Sequence, residues 1–179
     1  MSVFLERKIQ TESDIEKWKK SKSHEQIIQI LNILDNSVKS KKRIINPHPS
    51  ILIQRLLHAL DIVQQYLSET PTKNQSSPFS NKAFVDFYHK IYENRNEMFK
   101  DITNNEEIIE YFLSSFGNPI RIDLGTGNEL NFLTFITCLF DINWFCIENG
   151  NKSDLEDLVF LVFWKYWDTI ILIQKKFRL

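Results

Sequence analysis

The sequence predicts an all-α, single multi-helix domain over residues 1–179, and three observations carry that expectation. Apolar residues recur at three- and four-residue steps along most of the chain. No stretch alternates apolar and polar residues over strand length, and no segment repeats. A chain of 179 residues is also long enough to enclose one sizeable core, burying roughly 70% of its unfolded surface.

Taken in order, "SHEQIIQILNILDNSV" sets Ile27, Leu31, Leu34 and Val38 on one stripe. "PSILIQRLLHALDIVQQYL" aligns Ile53, Leu56, Leu57, Leu60, Val63 and Leu67, with Ser50 as N-cap behind Pro49. Prolines and small polar residues then make a loop near 68–81. "NKAFVDFYHKIYENRNEMF" places Phe84, Phe87, Tyr88 and Ile91 on one face, and "NNEEIIEYFLSSFGN" follows, capped by Asn104 or Asn105 and closed by Gly117. A second loop covers 117–128, and "NELNFLTFITCLF" is the next helix, beginning near Asn128. The last, "DLEDLVFLVFWKYWDTIILIQKKF", is apolar on nearly every side, as helices enclosed between layers are. Asp157, Lys165 and Asp168 interrupt it, which argues against a membrane span because each charge is costly in lipid.

Composition narrows the function. Hydrophobic residues make up 42% and charged residues 25%, as in globular proteins, and the net charge is −1. The cluster "KSKKR" (Lys39 to Arg43) reads as a solvated helix end rather than a nucleic-acid footprint. Cys138 and Cys146 belong to no metal-ligand spacing, and the histidines are scattered, so no metal site is expected within the chain. "MSVFLERKIQ" has no signal-peptide character, and the two thiols suit a reducing compartment.

Three of the four glycines fall in "GNPIRIDLGTGNEL" (Gly117 to Leu130). A glycine loop before a helix can cradle an anion: the helix start offers unpaired N–H groups, small residues allow close approach, Arg121 can add a guanidinium and Thr126 a hydroxyl. It can equally be a tight interhelical turn in which Arg121 pairs with Asp123 and Glu129 favours the helix start. A third reading compares "RIDLGTGN" with the first motif of Rossmann-like methyltransferases, with Glu148 as the ribose acid, but requires a strand at "PIRI" and further βα units.

The loop "GNPIRIDLGTGNE" resembles the phosphotyrosyl phosphatase activator family, the activators of protein phosphatase 2A. Other blocks resemble it in the same order: "DIEKWKKSKSHEQIIQILNILDNSVKSKK", "ETP", "FSNKAFVDFYHKI" and "VFWKYWDTIILIQKKFRL", together reaching from Ile9 to Leu179. The resemblance implies an all-α activator fold, ATP bound through Arg121, Thr126 and Gly127, and support from Asp123 and Gly125. It also implies magnesium held by residues outside this chain, peptidyl-prolyl cis/trans isomerase activity, and a cytoplasmic or nuclear location. Its implied partners are phosphatase 2A catalytic and scaffold subunits and proline-containing segments, with neither nucleic acid nor membrane. The family's later proline-alanine-glycine and tryptophan-glycine-leucine-aspartate-aspartate stretches are not found here, so the chain is expected to be the N-terminal part of a longer activator, unstable and inactive alone, with Phe160, Trp164, Trp167 and Ile171 uncovered. Leu124 and Asn128 stand where the family has tyrosine and histidine, and Ser80 where it has glycine. Phe79, Phe84, Tyr88, Trp144 and Trp164 are expected in the core, with Phe79 packing its loop. A non-enzymatic docking module is the alternative function.

Overall fold

The structure is a computed structural model that describes residues 8–145 and 152–179. Its helices are α1 (Glu12–Lys19), α2 (Lys22–Val38), α3 (Ile51–Glu69), α4 (Ala83–Glu93), α5 (Arg95–Phe99), α6 (Glu106–Ser114), α7 (Thr126–Asp141), α8 (Lys152–Asp157) and α9 (Trp164–Phe177). Among the described residues there is no strand, only an isolated bridge between Asn118 and Asp123. The strand that a methyltransferase reading needs at "PIRI" is therefore a turn; Cys146 and Glu148 lie outside the described residues.

Helix starts follow local chemistry. Ser50 Oγ accepts from the Ile53 N–H, and Asn105 Oδ1 accepts from Glu107 and Ile108. α1, which apolar spacing alone does not announce, starts with a capping box: Thr11 Oγ1 accepts from the Asp14 N–H while Asp14 accepts from the Thr11 N–H. The Thr11 hydroxyl, which also donates to the Asp14 carboxylate at 2.8 Å, together with Lys17 draws that carboxyl down to about 2. The single helical stretch expected over 81–99 divides at Asn94, whose Nδ2 donates to the Lys90 carbonyl and competes with the ladder.

α3 is the hub, packing against α4, α5, α9 and the segment before α9, while α7 packs on α6 and α2. Its stripe is buried as expected, with Leu57 only partly so. On α2, Ile27 and Leu34 are buried but Leu31 is exposed, because the buried line runs through Ile30 and Ser37 instead. One aromatic group joins Phe99, Phe112, Phe132 and Phe135, with Tyr166 stacked on Phe132 at 3.9 Å. A second joins Phe84 and Phe87 to Phe177, each at 5.7 Å between ring centres.

The final helix is continuous from Lys152 to Phe177, but Leu158–Phe163 forms a π-helical segment. The chain between α2 and α3 braces it. Asn46 Nδ2 donates to buried Asp157 at 2.7 Å, Arg43 Nε donates to the Phe160 carbonyl at 3.1 Å, and Lys41 pairs with Glu156. The Arg43 guanidinium also lies 4.4 Å from the centre of the Trp164 ring. The basic cluster is thus a strap across the last helix, not merely a solvated helix end. Phe160 is buried in this arrangement, contrary to expectation, and Ile171 is half-buried; Trp164 and Trp167 remain exposed. Phe84 and Tyr88 are core residues and Trp144 is half-buried, whereas Phe79 is 70% exposed and does not pack its loop. No helix among the described residues is long and apolar enough to cross a membrane.

Candidate functional site

Gly117 begins the loop with φ +115°, a conformation that side-chain-bearing residues resist. A Cβ there would lie 2.8 Å from both the Asp123 carbonyl oxygen and Phe84 Cζ. The turn that follows is organised by Asn118. Its Oδ1 accepts from the N–H groups of Ile120 and Arg121, both at 2.9 Å, and its backbone exchanges hydrogen bonds with Asp123. Ile122 takes φ +53°, an outlier for a β-branched residue, and its side chain packs against the core. Burying Ile122 leaves its neighbours Arg121 and Asp123 to project outward. They form a bidentate pair, Nε to Oδ2 at 2.7 Å and Nη2 to Oδ1 at 3.1 Å. Asp123 holds the guanidinium pKa above its ordinary value.

α7 starts at Thr126 rather than near Asn128. Asn128 instead completes a capping box: its Oδ1 accepts from the Gly125 N–H at 2.8 Å, and its Nδ2 donates to the Ser114 carbonyl at 2.7 Å. This single side chain shapes the loop and fastens it to the end of α6. The N–H groups of Thr126 and Gly127 donate to no group among the described residues, leaving two donors at the positive end of the helix. Gly125 is extended (φ −139°, ψ 179°), so the turn does not demand glycine there; a Cβ at Gly125 or Gly127 would meet nothing within 4 Å. These glycines keep space open rather than relieve strain.

Arg121, Asp123, Gly125, Thr126 and Gly127 all line one concavity of about 570 Å³. The structure thus places together the five loop residues that the family resemblance singled out. It adds Asn118 and Asn128, whose signal was the recurrence of asparagine beside the glycines, and Asn131 from the next turn. Leu124 is half-buried against the core and makes an apolar contact where a tyrosine would offer a hydroxyl.

The donor set suits an anion. Asp123 occupies two of the Arg121 donors and leaves Nη1 free, and the two N–H groups at the start of α7 are unused. The same site suits a metal poorly: Asp123 is committed to Arg121, and no group of three His, Cys, Asp or Glu among the described residues could hold one. Cys138, further along α7 and outside this concavity, has its thiol pushed up to about 11, by burial foremost.

Comparison with known proteins supports one family. A model of the phosphotyrosyl phosphate activator (PTPA) protein family matches residues 5–179. The chain is 30% identical over 175 residues to serine/threonine-protein phosphatase 2A activator 2 of Candida albicans, covering 97% of this chain and 48% of that one. It is 29% identical over 177 residues to a probable serine/threonine-protein phosphatase 2A activator 1 of Dictyostelium discoideum, covering 96% and 53%. The crystal structure of the PP2A phosphatase activator Ypa1 superposes with a TM-score of 0.69 at 22% identity, covering 88% of this chain and 50% of that one. The chain therefore spans about half the length of these relatives. The helical fold and the match over nearly the whole chain agree, and the chain belongs to the phosphotyrosyl phosphate activator family.

Proposed function

We propose that this chain contributes the phosphate-holding part of an ATP-dependent activator of protein phosphatase 2A. The observation that carries the reading is the open start of α7, where two unused N–H groups and a half-used guanidinium face one concavity. Thr126 and Gly127 would offer backbone donors and Arg121 its free Nη1, while Asp123 holds the guanidinium in place. Bound ATP would supply concentrated negative charge at the start of α7. Magnesium would rely on acidic residues elsewhere. The names of the relatives support phosphatase 2A as the partner, and its catalytic or scaffold subunits are the ones we propose.

Associated prolyl isomerase activity fits the same reading. Rotation about an X–Pro bond must overcome about 18–20 kcal/mol and needs a groove that favours the twisted amide, not a nucleophile. Proline-containing segments would be the substrates, and the cytoplasm or nucleus the setting. The decisive experiment joins this chain to the second half of the Candida albicans relative and measures ATP binding by calorimetry. Arg121→Ala should weaken binding by at least about 1.5 kcal/mol, as expected for a charged hydrogen bond. Unchanged affinity in a folded variant would remove the loop from the site. Phosphatase activation and isomerisation of a test peptide, measured on the same chimaera, would separate an enzyme from a docking module.

A further inference from the structure

A second cavity, of about 460 Å³, lies on the other side of the Gly117 turn and shares Ser114, Gly117 and Asn118 with the first. Its wall includes Tyr88, Tyr92 and Glu110, and its rim carries Ile120, 80% exposed. Glu110 is anomalous for its surroundings. It is only 4% exposed, yet no Lys, Arg or His among the described residues forms an ion pair with it. The Ser114 hydroxyl donates to its Oε1 at 3.1 Å. Among the described residues no fully buried side-chain oxygen lacks a partner, so the remaining oxygen, Oε2, keeps some access to solvent, and Glu110 lines the cavity. A carboxylate withdrawn from water without a counter-charge is costly, and the cost falls when a cation arrives. The aromatic wall favours the same guest: the Arg95 guanidinium already sits 4.3 Å from the centre of the Tyr92 ring. Burial and the Glu110 charge push the Tyr88 phenol up, so its hydroxyl keeps its proton.

We propose that this cavity binds a basic side chain, an arginine or lysine of a partner polypeptide, with Glu110 as its counter-ion. The site adjoins the loop proposed to hold phosphate and would seat a basic residue beside it, across the turn at Gly117 and Asn118. The test is a titration of the isotope-labelled 179-residue chain, followed by amide NMR, with N-acetyl-arginine amide, N-acetyl-lysine amide and the uncharged N-acetyl-citrulline amide. At least one basic probe should shift the Glu110, Ser114 and Gly117 amides in a saturable way, and the citrulline probe should not. Glu110→Gln keeps an acceptor for Ser114 but removes the charge; it should weaken binding about tenfold or more and leave the thermal midpoint equal or higher. Equal binding of citrulline, no response to either basic probe, or unchanged affinity in Glu110→Gln would each overturn the assignment. A lowered midpoint with lost binding would make Glu110 a structural group and overturn it as well. The citrulline arm needs no variant and decides the matter even if Glu110→Gln does not fold.

Discussion

Two helix ends in this molecule are treated in opposite ways. At the end of α9, the Ser80 N–H donates to the Arg178 carbonyl at 3.0 Å and the Asn81 N–H to the Phe177 carbonyl at 2.8 Å. The loop that makes this closure turns at Ser80, at φ +53°, the position where the family resemblance substitutes glycine. At the start of α7 the equivalent demand goes unmet: Thr126 and Gly127 keep free donors in front of an open concavity. A helix terminus that the chain satisfies from within belongs to the architecture, whereas one left unsatisfied and accessible is available to a ligand. The two glycine classes repeat the contrast. Gly117 has no room for a Cβ, and Gly125 and Gly127 have nothing but room.

Substitutions can break this contrast, beginning at the saturated end. Phe177→Ala removes a fully buried ring from between Phe84 and Phe87 and should cost about 3–5 kcal/mol in chemical denaturation. A loss below about 1 kcal/mol would mean that the end of α9 is not part of the core. Gly117→Ala should cost about 1–3 kcal/mol from its positive φ, with the contacts at 2.8 Å adding to that, and should disturb the amide resonances of Asn118 to Asp123. Gly127→Ala is the sharpest test because its expected stability change is the smallest, within about 0.5 kcal/mol. In the chimaera, on the proposed reading, the same substitution should nevertheless weaken nucleotide binding, because its methyl group enters space left open at the start of α7. Substantial destabilisation by Gly127→Ala, or unaltered nucleotide binding, would erase the distinction between the two kinds of glycine.

Much of the architecture was legible because it depends on local rules. The stripe of α3, its Ser50 cap and the Asn105 cap need only residues within one or two turns of each other. The loop residues were legible as a group because glycine, arginine and threonine before a helix limit what the backbone can do. What the sequence hid depends on distant neighbours. The π-helical segment has no local signature, since it is braced by Arg43 and Asn46, more than a hundred residues earlier. Leu31 looked like core by spacing, but its face of α2 meets no partner among the described residues, and the buried line passes through Ile30. Phe79 looked like an anchor by type, yet its loop is held by the side chains of Gln75 and Ser77, which donate to the Phe79 carbonyl instead. Asn128 was noticed as a departure from the family, but its double role needed the position of Ser114 in space.

The closure between the end of α9 and the loop at Ser80 also bears on how the protein is made. Arg178 and Pro78, joined there by a hydrogen bond, are 100 residues apart. During translation Phe84 and Phe87 emerge long before the ring that covers them, and no partial chain ending before Phe177 can seal that side of the core. Contacts of such long range slow folding more than they weaken the folded state, because loop-closure entropy must be met before burial rewards it. The nascent chain therefore exposes an aromatic surface until α9 docks, an interval in which it is prone to aggregation.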